Sequence, residues 1–335
     1  MSEPLRIALI GTGRIGQVHA TNIAASPDAT LQWVCDAVAA SAEVTAARLG
    51  GRVTSNTADL FAADDVDAVV IASPTPTHID LIAAALDAGI PVLCEKPIDL
   101  DIARVDGLRV TAAASKIPIA LGFNRRFDPH FAELHRRVAA GEIGKLETLV
   151  ITSRDPAPPA AEYVAVSGGI FRDMTIHDFD MARFFVPSIV SVTAHGTHQF
   201  SPEIEAAGDF DGAVVVLRGA DGELITITNS RHSAYGYDQR LEAVGADGLL
   251  QVGNIGETVV TRWGSDAVET RSPYLDFFLQ RYAEAYRIGL AAFIALARGE
   301  ASSSPGFEDG RAALLLADAA ARSAATGESV GVDLG

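Results

Sequence analysis

The sequence predicts a two-domain α/β protein: a doubly wound parallel sheet of the Rossmann type, followed by an α+β domain built on a large, mostly antiparallel sheet. Three observations carry this. The first third alternates short apolar runs with helix-length stretches, a glycine-rich turn separates the first run from the first helix, and past residue 141 the alternation gives way to one long helix among many strands. A chain of 335 residues also exceeds what one core usually holds. The change of pattern places the domains at 1–123 and 124–335, with the C-terminal helix a candidate to pack back on the first.

In the first domain strands are expected at "LRIALI" (5–10), "LQWVCD" (31–36), "VDAVVIAS" (66–73), "PVLCE" (91–95) and "PIALGF" (118–123). Helices fit between them at about 14–25, 41–49, 77–88 and 101–115, the crossovers that a parallel sheet requires, with a further helix near 129–141. In the second domain "GGIFRDMTIHDFDMARFF" (168–185) reads as one helix, apolar nearly all round and therefore buried. Strands fit "LETLVITS", "AVVVLRG", "ELITITNS" and "RLEAVG", and "GADG" at 219–222 and again at 245–248 supplies hairpin turns. Helices return from Phe277, interrupted at "SSSPG". The second domain's strands are apolar on both faces, and one helix can cover only one of them. A homo-oligomer with sheets packed face to face is therefore expected.

Composition excludes several functions. A net charge of −17 disfavours nucleic acid and anionic membranes as partners, and its dispersion among apolar residues suits solubility. No apolar run approaches the roughly 18 residues of a membrane span. The opening "MSEPLRIALIGTGRIG" is a poor signal peptide, so a cytoplasmic protein is expected. Cys35 and Cys94 fall in strands and read as reduced core residues, and no zinc spacing is present.

The glycine-rich turn is "GTGRIG". Gly11 permits the tight turn, Gly13 lets backbone approach a pyrophosphate, and Gly16 allows the helix to pack against the strand. Thr12, Arg14 and Ile15 complete this cofactor loop. Asp36, twenty positions after Gly16, can accept hydrogen bonds from the adenosine ribose and would repel a 2′-phosphate. NAD is therefore expected over NADP, with Arg14 allowing some NADP tolerance. Open α/β sheets bind ligands at the carboxyl ends of their strands, which assigns Ser73, Pro74 and Thr75 of "ASPTPTH" and Glu95 and Lys96 of "CEKP" to the same cleft. His78 reads equally as a surface or capping residue and as a ligand contact.

On the 168–185 helix Asp173, His177, Asp180 and Phe184 fall on one stripe. Burying a carboxylate and an imidazole is costly unless they are paired or used, so the stripe is a candidate site, with a structural pair or a metal site as the bland readings.

The order of "GTGRIG", "ASPTPTH", "CEKP", "GFNRRFDPHF", "GGIFRDMTIHDFD" and "NSRHSAYGYDQRLEAVG" resembles the Gfo/Idh/MocA oxidoreductases, nearest their inositol 2-dehydrogenase members, over almost the whole chain. The resemblance implies NAD-dependent oxidation of a cyclic polyol, myo-inositol to 2-keto-myo-inositol, by a tetramer. It implies catalytic roles for Lys96, Asp173 and His177, and polyol contacts at Asp180, Arg125 and Tyr235 or Tyr237. His177 would be the base, Asp173 its orienting acid and Lys96 the partner of the reacting oxygen, with Asp155 a further contact. Where some inositol dehydrogenases read His-Arg-Asn-Pro, this chain has Ser153-Arg154-Asp155-Pro156, which leaves open another inositol isomer, an aldose or an anhydrosugar. A non-catalytic NAD-binding sensor is the alternative from another class.

Overall fold

Six parallel strands, β1 (Leu5–Ile10), β2 (Ala29–Cys35), β3 (Arg52–Thr54), β4 (Ala68–Ile71), β5 (Val92–Cys94) and β6 (Ile119–Leu121), form a sheet in the order β3-β2-β1-β4-β5-β6 in the computed structural model, which describes residues 3–335. The order reverses between β1 and β4, the switch point at which such sheets bind dinucleotides. Consecutive residues Ile7, Ala8 and Leu9 have no exposed surface, as expected of a strand covered on both faces. The covering helices are α1 (Arg14–Ala25), α2 (Ala39–Leu49), α3 (Thr57–Phe61), α4 (His78–Ala88) and α5 (Ile102–Ala114). β3 and α3 escape the sequence reading because three and five residues are too few to show a period.

The chain divides into two compact units, one reaching Asn124 and adding Ala285–Leu314, the other running from Arg125 to Glu284 and adding Leu315–Gly335. The late segment joins the first unit through apolar packing: Leu290, Phe293 and Ile294 share a buried cluster with Ile7, Leu9 and Ile23.

In the second unit α6 (Pro129–Ala139) starts with Pro129 and is capped by Asp128, whose carboxylate accepts the His130 and Phe131 amides at 3.1 Å. The strands are β7 (Leu146–Arg154), β8 (Ile189–Thr197), β9 (Gly212–Gly219), β10 (Leu224–Ser230), β11 (Asp238–Gly245), β12 (Gly248–Val252), a small ribbon of β13 (Thr261–Arg262) and β14 (Thr270–Arg271), and β15 (Val330–Gly331). The main sheet runs β12-β11-β7-β10-β9-β8-β15. Both GADG turns join antiparallel neighbours, β9 to β10 and β11 to β12, whereas the central pair β7/β10 is parallel. Short helices α7 (Ala161–Ser167), α8 (Ile170–Asp173), α9 (Ile176–Phe185), α10 (Pro202–Ala206) and α11 (Phe278–Arg281) join these strands, and α12 (Ala283–Ala297) and α13 (Phe307–Thr326) end the helical set.

The 168–185 stretch is thus two helices rather than one. The amides of Met174 and Thr175 both reach the Ile170 carbonyl at 2.9 Å, and the His177 amide reaches back only three residues, to Met174 at 3.4 Å. The cause is Thr175, fully buried, whose hydroxyl donates to Asn229 Oδ1 on β10 at 2.6 Å and also lies 3.3 Å from the Ile170 carbonyl. A side chain inserted in the ladder shifts it. The single stripe of Asp173, His177, Asp180 and Phe184 is broken accordingly.

Below α9 the buried sheet face presents Leu149, Ile151, Ile225, Ile227, Val215 and Leu217. The other face carries Val214, Val216 and Leu224, each 40 to 48% exposed. Among the described residues no helix is long and apolar enough to cross a membrane.

Candidate active site

The glycine turn of the first unit has the shape a dinucleotide requires. Gly11 has φ +93°, and a Cβ there would lie 2.5 Å from the Ala72 carbonyl oxygen; one on Gly16 would lie 2.0 Å from the Gly11 carbonyl oxygen. A Cβ on Gly13 would meet nothing within 4 Å, so the turn is open at the residue that precedes α1. That helix begins without a side-chain cap, which leaves its first amides to a phosphate. Arg14 is exposed beside it and Ile15 half-buried.

Asp36, just past β2, accepts the Thr12 amide at 2.8 Å, the Thr12 hydroxyl at 2.7 Å and the Val38 amide at 2.9 Å. Burial pushes this carboxyl up, but these three bonds outweigh it and hold its pKa below the ordinary value. A carboxylate offers about four lone-pair sites, so an acceptor remains for a ribose hydroxyl. These residues fit NAD. Asp36→Ser should narrow the NAD-to-NADP preference about tenfold or more, a change of about 1.4 kcal/mol, measured as the ratio of kcat/KM for the two cofactors. Wild-type enzyme that already uses both equally would overturn the argument from Asp36.

At the ends of β4 and β5, Ser73, Pro74 and Thr75 lead into a short turn in which the Ser73 and Thr77 hydroxyls meet at 2.6 Å. Lys96 is half-buried after β5. Glu95, expected as a cofactor contact, is instead turned inward: its Oε1 lies 2.8 Å from His19 Nε2 on α1, and both residues are buried. His78 is also buried rather than at the surface.

The second unit gathers a polar cluster on the buried sheet face. Arg125 Nη1 donates to Asp178 at 2.5 Å and Nη2 to the Ser153 hydroxyl at 3.2 Å; Asn229 donates to the other Asp178 oxygen at 2.7 Å. Gln239 continues the network from Ser153 at 2.9 Å to the Tyr282 hydroxyl at 3.0 Å. Arg125, expected to contact polyol, is thus also engaged within the protein. Asp180, another expected polyol contact, is buried and accepts Arg126 at both of its oxygens, at 2.6 to 3.1 Å.

Asp173 accepts the Tyr163 hydroxyl at 2.8 Å, and its other oxygen lies 3.9 Å from the buried Arg231 guanidinium, which also faces Asp209 at 3.0 Å. His177 is half-buried at the start of α9. Asp155, which follows β7, is pushed up to about 7 by burial and by the charge of Asp173, against the pull of Arg125 and Arg231. The two tyrosines part company. Tyr237 is buried edge-on against Tyr282, within electrostatic reach of Arg125 and Asp155. Tyr235 is exposed and its hydroxyl is held by Arg154 at 2.5 Å and Asp238 at 2.9 Å. Tyr163, Asp178, Arg231 and Tyr282 were not singled out in the sequence. Arg231 sits inside a quoted motif and Asp178 beside His177, whereas nothing in the sequence marks Tyr163.

The dinucleotide turn and its acid define an NAD-dependent oxidoreductase. Residues 5–123 match the model of the oxidoreductase family with an NAD-binding Rossmann fold, and residues 131–251 match the GFO/IDH/MocA C-terminal domain. The chain belongs to the Gfo/Idh/MocA oxidoreductase family. It is 45% identical to the inositol 2-dehydrogenase of Rhizobium meliloti over 98% of this chain and 99% of that protein. The crystal structure of a myo-inositol dehydrogenase from Corynebacterium glutamicum superposes with a TM-score of 0.94 at 53% identity, covering 98% of this chain and 99% of that one. The scyllo-inositol dehydrogenase of Lactobacillus casei, solved with bound NAD(H) and scyllo-inositol, superposes with a TM-score of 0.91 at 31% identity, covering 98% of this chain and 99% of that one.

Proposed function

We propose that this enzyme oxidises myo-inositol to 2-keto-myo-inositol, taking hydride from the carbon that bears the axial hydroxyl. The reading is carried by an NAD-shaped turn in the first unit and, in the second, an Asp155 within electrostatic range of Asp173 and Tyr237, in a chain 53% identical to a myo-inositol dehydrogenase. Bound NAD supplies the hydride acceptor. His177 takes the hydroxyl proton as general base. Asp173, fixed by Tyr163 and close to Arg231, remains an acceptor able to stabilise the resulting imidazolium. The Lys96 ammonium hydrogen-bonds the same oxygen and offsets the charge that develops on it. Asp155 and Tyr237 bind other ring hydroxyls, and a site lined by such groups rejects analogues lacking them, because its buried polar atoms would be left unpaired.

Steady-state oxidation of a panel of myo-, scyllo- and chiro-inositol, aldoses and an anhydrosugar, followed by NADH absorbance, tests the reading. Myo-inositol should show the highest kcat/KM. A higher value for another member defeats the substrate assignment, and no NADH from any would favour a sensor. The reading extends to a cytoplasmic homotetramer, supported by the dinucleotide cofactor, the buried Cys35 and Cys94 thiols, and the half-exposed Val214, Val216 and Leu224 on the uncovered sheet face. Sedimentation at micromolar concentration should give a tetramer, and a monomer there would refute the assembly.

A further inference from the structure

Lys96 stands in a loop whose backbone is fixed by side chains from the neighbouring helices. Its own amide lies 3.3 Å from Glu95 Oε2, and Glu95 is held by His19. Beyond it, Asp99 accepts the Leu100 and Asp101 amides at 2.7 and 2.9 Å and receives Arg104 Nη1 at 2.9 Å. The same Arg104 nitrogen reaches the Pro76 carbonyl at 3.0 Å, so it ties the loop after β5 to the loop after β4.

His78 makes a second tie between these two loops, closer to Lys96. It is 1% exposed, with Nδ1 2.8 Å from the carbonyl oxygen of Pro97 and Nε2 2.9 Å from the carbonyl oxygen of Ser73. Both partners are main-chain carbonyls. Carbonyl oxygens only accept, so the ring donates to one of them in either neutral tautomer and to both when protonated. A capping or packing histidine has no need of two such partners, and the apolar helix face to which His78 belongs could be filled by leucine. Pro97 directly follows Lys96, and Ser73 begins the cofactor-lining loop, so the imidazole spans the two segments that bring lysine and cofactor together.

We infer that His78 is a positioning residue for Lys96: by bridging the Pro97 and Ser73 carbonyls it sets where the lysine backbone stands relative to the cofactor loop. This rests on the role proposed above for Lys96 in the reaction. Loss of the ring removes the donor of one carbonyl and the packing between the two loops and lets the lysine loop drift, and a displacement on the order of 1 Å from productive geometry can cost as much as a hundredfold in rate.

The test is a double-mutant cycle on the full-length enzyme with myo-inositol and NAD. His78→Leu should lower kcat about tenfold or more, while the NAD dissociation constant, read by protection of thermal unfolding, stays within about threefold. In a Lys96→Ala background the same change should lower kcat less than about twofold, because residues acting through one group are not additive. A structural role would give the full multiplicative loss in both backgrounds, and that result overturns the inference, as does an unchanged kcat in His78→Leu. Should His78→Leu fail to fold, His78→Gln, which retains a donor for one carbonyl, takes its place in the cycle under the same criteria, with a smaller loss expected. Near-normal turnover of Lys96→Ala alone would overturn the role of the lysine itself, an outcome distinct from failure of the bridge.

Discussion

Alanine at His177 is expected to lower polyol turnover by about a hundredfold or more, the usual scale for removing a general base. An imidazole is the side chain whose ordinary pKa suits proton transfer near neutrality, and His177 is a half-buried imidazole at the start of α9. Asp173 is held by the Tyr163 hydroxyl at 2.8 Å, a bond that fixes one carboxylate oxygen without neutralising its charge. In the proposed mechanism this carboxylate is the group assigned to favour the imidazolium formed when the proton moves. NAD binding should be unaffected, since the dinucleotide turn, Asp36 and the strand ends that accompany them lie in the other unit. The check is single-turnover NADH formation together with an NAD dissociation constant. Slow turnover with unchanged NAD affinity is the expected pair of results, and turnover within a few-fold of the parent would move the base elsewhere. Tyr163→Phe should produce the smaller version of the same defect, because it removes a hydrogen bond to Asp173 and leaves the base in place.

How much of this was legible in the sequence depends on the range of the interaction. The glycine turn and Asp36 are local features with a known spacing, and β1 and α1 fall at the expected 5–10 and 14–25. The antiparallel hairpins announced themselves through GADG turns at both β9/β10 and β11/β12. What sequence could not display was competition between distant partners. A 3.6-residue period predicts one helix over 168–185, yet Thr175 bonds Asn229, 54 positions away, and the ladder slips there. Arg125 and Asp180 look like ligand contacts when considered singly. Their partners, Asp178 at a separation of 53 and Arg126 at 54, become visible only when β7, α6 and α9 are brought together. The parallel pairing of β7 with β10 is non-local in the same way, since it joins strands separated by several helices and two other strands.

Asp155→Asn is expected to stabilise the enzyme at alkaline pH and to leave it nearly unchanged in acid. Four carboxylates, Asp155, Asp173, Asp178 and Asp209, share this part of the second unit with the guanidiniums of Arg125 and Arg231. Burial and the charge of Asp173 push the Asp155 carboxyl from 3.8 up to about 7. The sign follows from linkage. A group whose pKa is higher in the folded than in the unfolded state contributes stability that is complete below the unfolded value and is lost as pH rises through the folded one. For Asp155 that loss begins near pH 3.8 and is complete somewhat above pH 7. Asparagine resembles the protonated acid in shape and cannot ionise, so the variant escapes the loss. The gain should grow between pH 4 and 7 and then level off, at about 1 to 4 kcal/mol once partial exposure is allowed for, or several degrees in Tm. Catalysis should follow the same axis, since a neutral Asp155 can donate to a ring hydroxyl and an ionised one can only accept. Near pH 6 the variant should keep kcat/KM within a few-fold of the parent, and the two profiles should separate above pH 7 as the parent loses its donor. Thermal unfolding of parent and variant at pH 5 and pH 8 decides the matter: a difference in Tm that is the same at both would mean that Asp155 is already ionised across the range.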